Sequence, residues 1–218
     1  AREDILYDAK PHVGTDVLLT VVQNLRKRIV ELGGEVRFSA QVTGLETENG
    51  QLTGVQTDSG EVIPCRAAVL AIGHSARDTF EMLEKTGIPM EPKPFAMGAR
   101  IEQKQAVINR AQYGMENPAL PPADYKLVEH LEDATVYTFC MCPGGHVVAA
   151  ASEEGRIVTN GMSNADREGE NANAALLVTV NPADFPYEGP LGGMRWQREI
   201  EERAYRVSGS YCAPAQQV

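Results

Sequence analysis

The sequence predicts a mixed chain, α/β plus α+β. A first lobe is built as helix, β-meander, buried parallel strand and helix, and a second, largely antiparallel domain follows. Three observations predict it. Leu18, Val21, Val22, Leu25, Ile29 and Leu32 recur at the i, i+3, i+4, i+7 spacing of a helix with one buried face. Asn49-Gly50 separates two short alternating runs and is a strong hairpin signal, because both turn positions take positive φ. Ala67 to Ile72 is apolar at every position, as expected of a strand covered on both faces.

Taken in order, the first helix starts after Gly14, with Thr15 or Asp16 as its cap, and stops at Gly33-Gly34, which supplies a left-handed exit. Short strands follow at Glu35 to Phe38, Val42 to Thr47, Leu52 to Thr57 and Val62 to Pro64, with a second turn at Asp58-Ser59-Gly60. After the apolar run, Ser75 opens a helix to Lys85, with Asp78 at the capping-box distance and Gly87 at its end. Pro89, Pro92 and Pro94 form a joint that divides the chain into residues 1–89 and 90–218. The second section predicts strands at Phe95 to Glu102, Tyr125 to Glu129, Thr135 to Cys140, Val147 to Ala151 and Ile157 to Met162. A short helix lies at Gln105 to Gln112, and a loop carries Pro118, Pro121 and Pro122. Ser163 to Asn173 reads as a polar loop, Ala174 to Val180 as the last strand, and Leu191 to Arg206 as a charge-laced helix anchored by Trp196, Ile200 and Ala204.

The chain has 218 residues, long enough for a real core, with 43 % hydrophobic and 23 % charged residues, as in ordinary globular chains. Its net charge of −10 disfavours nucleic acid, which needs a concentrated positive surface. No apolar run approaches the roughly 18–20 residues that cross a bilayer, so a membrane is not an expected partner. Four scattered cysteines do not make a secreted disulfide scaffold. The expected location is the cytoplasm, with thiols reduced. There is no initiator Met, and Ala1 to Lys10 reads as the interior of a longer chain.

No two of the 20 glycines are separated by a single residue, so G-x-G-x-x-G does not occur, and no Gly-Lys pair supplies a Walker loop. The sharpest local feature is Ala71-Ile72-Gly73-His74-Ser75, a strand entering a tight turn before a helix. Ser75 reads as an N-cap. As the nucleophile of a G-x-S-x-G elbow it would need a small residue where Arg77 stands. A third reading has the backbone of the turn touching a nucleotide cofactor held mainly elsewhere. His74 is the one histidine placed at such a turn. In Cys140-x-Cys142, both thiols face one side if the strand continues. With His146 they give three soft ligands, one short of tetrahedral zinc, so no metal is expected. Inert cysteines and a redox pair are the alternatives. Gly144-Gly145 reads as a sharp turn or as backbone making room for a ligand. Arg100 reads as a salt bridge at a sheet edge or as an anion-binding group.

Five blocks together resemble a known family: Lys10-Pro11-His12-Val13-Gly14-Thr15-Asp16, Ala71 to Phe80, Lys93 to Gly98, Phe139-Cys140-Met141-Cys142-Pro143-Gly144-Gly145, and Gly155 to Ser163. They look like the bacterial uncharacterised FAD-dependent dehydrogenases of the glutathione-reductase-like flavoprotein superfamily. Members are longer, with a G-x-G-x-x-G loop at the start and a second glycine-rich FAD segment at the end. The resemblance therefore implies an incomplete FAD-binding lobe up to residue 89 and a substrate or cap domain from residue 90, with a return to the FAD lobe at its end left open as an alternative. It implies that Val42, Ala71, Ile72, Gly73 and His74 lie against FAD in the full-length protein, with the chain alone binding FAD weakly or not at all. Arg100, Gly144 and Gly145 become the candidates for contact with a small-molecule substrate, and Cys140, Cys142 and His146 the candidates for catalysis. The implied reaction is hydride exchange between substrate and FAD, with NAD(P)H as a possible reductant. A stand-alone binding module and a serine hydrolase using Ser75 are the competing expectations.

Overall fold

The first lobe is a helix, a meander and a second helix, described in a computed structural model that covers residues 6–7, 12–115, 117 and 119–217. Most of the opening stretch Ala1 to Lys10, the Lys10-Pro11 end of the first resembling block, and Pro118 lie outside the described residues. Helix α1 (Thr15–Glu31) ends, as expected, at a left-handed Gly33. Its start differs from the expectation. Gly14 is the N-cap, and no side chain caps the helix. Thr15 and Asp16 are spent on a distant segment instead: the Thr15 hydroxyl donates to the Ser163 carbonyl at 3.1 Å, and the Asp16 carboxylate accepts the Ala165 N–H at 2.9 Å. The apolar face expected to be buried is open to solvent, with no buried residue in α1 and Leu25 61 % exposed.

Residues 35–38 form no strand. Arg37 ties this segment to Glu35 and Glu61 at 2.7 and 2.9 Å, and Arg26 stands over the Phe38 ring. Strands β1 (Val42–Glu48), β2 (Gln51–Thr57) and β3 (Val62–Pro64) make the antiparallel meander in that order. Asn49 and Gly50 both take positive φ, 51° and 76°, as the hairpin requires.

The run Ala67 to Ile72 is the main correction. It forms no strand, and Val69 is 91 % exposed. All strand pairing among the described residues is antiparallel. A continuous apolar run suits a sandwiched strand only when neighbours supply hydrogen bonds on both edges, and the described residues supply none. Helix α2 (Arg77–Lys85) begins two residues later than expected, with Ala76 at its N-cap. Ser75 does not cap it, and Asp78 accepts a hydrogen bond from the Gln41 side chain rather than closing a capping box.

The second section is the α+β part. Strands β4 (Phe95–Lys104), β5 (Val128–His130), β6 (Thr135–Cys142) and β9 (Asn171–Val180) form an antiparallel sheet in the order β4-β9-β6-β5. Strands β7 (Gly145–Ala149) and β8 (Thr159–Ser163) form a separate hairpin. Strand β9 starts three residues earlier than its hydropathy suggests and pairs with β4 over ten positions, from Lys104 opposite Asn171 to Phe95 opposite Val180. Helix α3 (Gln105–Tyr113) follows β4 directly, and Ile108 packs with Ala123 and Ala172 in the core beneath Tyr113, Tyr125 and Met141. Helix α4 (Gly192–Ser208) closes the chain over an aromatic trio of Phe95, Phe185 and Trp196. Gly193 has to be glycine here, since a Cβ would come within 2.6 Å of the Phe95 ring. No helix among the described residues is long and apolar enough to cross a membrane.

Charge joins the two sections. Arg77, 3 % exposed, forks onto Glu201 at 2.6 and 2.8 Å and also donates to Glu153. Arg198 bridges Glu153 and Glu81, each at 2.8 Å, and Arg156 reaches Glu153 at 3.6 Å. Three arginines thus face three glutamates drawn from α2, the loop after β7, and α4. Burial alone would raise the Glu153 pKa, but hydrogen bonds from Arg198 and Arg77 outweigh it and hold the carboxyl below its ordinary value of 4.5.

Removing one partner of a buried ion pair strands the other, so Arg77→Met is expected to lower unfolding stability by about 3 kcal/mol in urea titrations. A carboxylate with a depressed folded-state pKa contributes stability that is complete above its unfolded value near 4.5 and is lost as pH falls through the folded value. Glu153→Gln should therefore be less stable than the parent near neutrality and lose less on acidification from about pH 5 to about pH 3.

Candidate functional site

The β6–β7 turn and the middle of β4 bring most of the second-section candidates together. Arg100 projects from β4, and its guanidinium contacts three neutral oxygens. Nη1 donates to Asn173 Oδ1 at 2.5 Å and to the Cys140 carbonyl at 3.5 Å, and Nη2 donates to Asn160 Oδ1 at 3.3 Å. Strand β4 is an edge strand of its sheet, but the salt bridge expected of Arg100 there does not form: the guanidinium is turned to Asn173, Asn160 and the Cys140 carbonyl instead. Gly161 makes the arrangement possible: a Cβ there would lie 2.1 Å from Asn173 Oδ1 and 2.2 Å from Arg100 Nη1.

Strand β6 does not carry its two cysteines as a regular strand would. Cys140 has φ of 47°, and the register against β9 slips between Phe139 and Cys142. This bulge breaks the simple alternation that would set both thiols on one side. Cys140 is exposed and Cys142 half-buried, with its thiol donating to the Cys140 carbonyl at 3.3 Å. Burial pushes the Cys142 pKa up; Arg100 and Arg167 oppose that rise without cancelling it, while Cys140 adds to it. His146 is exposed on β7, opposite Met162, and its ring makes no hydrogen bond to the described residues. No group of three or more His, Cys, Asp or Glu among the described residues could hold a metal ion.

Gly144 and Gly145 are both buried, and the space that glycine leaves is filled by the chain itself. A Cβ on Gly144 would fall 1.8 Å from the Arg167 carbonyl, and one on Gly145 would fall 2.2 Å from the Met162 carbonyl. The Gly144 N–H donates to Gln105 Oε1 at 2.9 Å, and Gln105 Nε2 in turn reaches the Ala123 carbonyl and Asn109 Oδ1. This satisfied buried network fixes the turn to α3 and sets the loop bearing Arg167 beside Cys142. Glu102 completes the frame, accepting the Val147 N–H at 2.6 Å and the Asn171 side-chain amide at 2.7 Å.

The first-section candidates lie apart. Val42 is half-buried at the start of β1, opposite Thr57. Ala71, Gly73 and His74 are exposed and Ile72 half-buried, and Gly73 makes an open left-handed turn at φ 69°. No hydrogen bond or ion pair joins them to Arg100. The Ser75 hydroxyl is exposed and bonded to no base, while His12 and His130 bond to the Asn164 carbonyl and to Thr135. Asn160, Asn173 and Arg167 were not foreseen from the sequence. The one sequence signal among them belongs to Asn173, spaced two from Asn171 immediately before an apolar strand.

These features define an α+β domain with a cationic corner set in an acidic chain. Residues 94–218, more than half of the chain, match the family described as FAD-dependent protein, C-terminal domain-like, and the chain belongs to that family. It is also similar to an uncharacterised protein of Clostridium beijerinckii, with 50 % identity over 223 aligned residues that cover 100 % of this chain and 42 % of the relative. The chain thus spans about two fifths of the length of the relative it matches.

The thiols should differ in reactivity. With the Cys142 thiol half-buried and held protonated, iodoacetamide at neutral pH is expected to alkylate Cys140 on the order of tenfold faster, as read by peptide mass spectrometry.

Proposed function

We propose that the chain is the substrate-facing part of a flavin-dependent oxidoreductase acting on a small molecule. Residues 1–89 contribute to the FAD lobe and residues 90–218 form the substrate or cap domain. The observation that carries the reading is the family match of residues 94–218.

The residues present fit one edge of the cofactor. Ala71 to His74 form an exposed turn, and a Cβ on Gly73 would meet nothing within 4 Å, so the backbone is free to lie against a flat group. They do not fit its pyrophosphate, because no G-x-G-x-x-G turn leads into a helix start. The exposed apolar run 67–72 and the open face of α1 suit burial by further parts of a longer protein. The bound flavin supplies hydride chemistry, and the protein supplies binding, orientation and exclusion of water. In this reading Arg100 and the β6–β7 turn orient the substrate, Cys140, Cys142 and His146 line the approach to it, and NAD(P)H as reductant is carried over from the resemblance alone.

The experiment is the visible spectrum of the full-length Clostridium beijerinckii relative after gel filtration. Oxidised-flavin absorbance that travels with the protein and bleaches with dithionite is the expected result. A colourless protein that takes up no added FAD overturns the reading.

A further inference from the structure

The half-buried and buried arginines fall into two groups. Arg77, Arg156 and Arg198 each pair with a glutamate. Arg100 and Arg167 are half-buried, and neither meets a carboxylate among the described residues, although the chain carries 30 acidic residues. Arg100 is held by three neutral oxygens; the Arg167 Nε is buried with no partner, as are the Nε atoms of Arg77, Arg156 and Arg198, but Arg167 has no ion pair besides. A half-buried cation gives up part of its hydration, which a counter-charge would replace, and an acidic protein has carboxylates to spare for such positions.

Asn173 supplies the second, independent observation. It is 1 % exposed, its Oδ1 is occupied by Arg100, and its Nδ2 has no hydrogen-bond partner. A buried amide donor left unmade beside an unneutralised guanidinium is complementary to an acceptor that carries negative charge. Gly161 leaves the Arg100 terminus room to reach Asn173, and Gly144 lets the Arg167 backbone close on the turn two residues from Cys142.

We infer that Arg100, Arg167 and the Asn173 amide form a binding site for an oxyanion group, carboxylate or phosphate, of a small-molecule ligand. That the ligand is the substrate rests on the flavoprotein reading above; the site itself does not. Arg100 supplies charge and a planar fork, Asn173 a buried neutral donor on the residue that the same guanidinium grips, and Arg167 a second charge from the loop between β8 and β9. Asn160 and the Cys140 carbonyl act as positioning groups that hold the Arg100 guanidinium in place. The Cys142 thiol, held protonated, adds no competing negative charge.

The test uses the whole chain with 15N-labelled arginine and asparagine side chains, titrated separately with sodium acetate and inorganic phosphate against sodium chloride at matched ionic strength. Saturable shifts of the Arg100 Nε and Asn173 amide signals are expected with acetate or with phosphate, and not with chloride. Saturation by acetate alone assigns a carboxylate ligand; saturation by phosphate alone assigns a phosphate ester. Arg100→Gln should weaken binding by about tenfold or more, the loss of one charge-assisted contact. Arg167→Gln lies in a loop outside the sheet and should weaken it as well if Arg100→Gln fails to fold. Shifts with neither anion, or affinity unchanged in the folded variant, overturn the inference. Flavin is not part of the titration, so its failure leaves the flavoprotein reading standing, and a colourless full-length relative would leave anion binding by this corner intact.

Discussion

The placement of the two halves of the chain depends on one buried guanidinium. Arg77 sits at the first turn of α2 and is gripped by carboxylates 76 and 124 residues further along. Little apolar packing does this work. Helix α1 has no buried residue and is fastened mainly by polar contacts at its N-terminal end, and the meander touches the second section through α2. Because Arg77 is screened from water, its attraction to Glu153 and Glu201 is little weakened by salt. The surrounding arginines and glutamates balance, so the cluster can be desolvated as a neutral whole. An interface of this kind specifies geometry more tightly than an oily contact would, since a guanidinium fork accepts a carboxylate in few orientations.

The same logic, with the balance removed, distinguishes the corner around Arg100. Two arginines share a neighbourhood built from amide oxygens, backbone carbonyls and a thiol, and the glycines at 144 and 161 are committed to bringing chain segments close rather than to leaving a cavity. The bulge at Cys140 is part of this design. A regular strand would carry Cys142 on in register with β9, whereas the slip aims the Cys140 carbonyl at Arg100 and leaves Cys142 half-covered. The chain belongs to the family described as FAD-dependent protein, C-terminal domain-like, and the anion site proposed at this corner is what would give it a chemical preference.

Local patterns were legible where they are enforced locally. The Asn49-Gly50 hairpin, the three-strand meander, α3 and most of the antiparallel strands follow from turn chemistry and alternation, because those constraints act within a few residues. The start of β9 was hidden because Asn171 and Asn173 are polar, and only their distant partners Glu102 and Arg100 make them strand residues. Ser75 and Asp78 match a capping box in sequence, yet Gln41 takes Asp78, so a tertiary contact outcompetes a local one. The run 67–72 is the opposite case: its composition describes an environment that the described residues do not provide. At the site, Arg100 was visible as an ambiguous strand arginine, while Asn173 carried only the weak signal of its spacing from Asn171 and Arg167 carried none.

The central position of β9 has a consequence for how the protein is made. This strand is made after β4 and β6, and both depend on it for pairing. Until residue 180 has been synthesised, β4 waits as an unpaired edge with some seventy residues trailing behind it, and long-range antiparallel pairing of this kind is slow. Arg100 meets Asn173 in the same event that closes the sheet. A nascent chain interrupted before that point has neither the closed sheet nor the contact between Arg100 and Asn173.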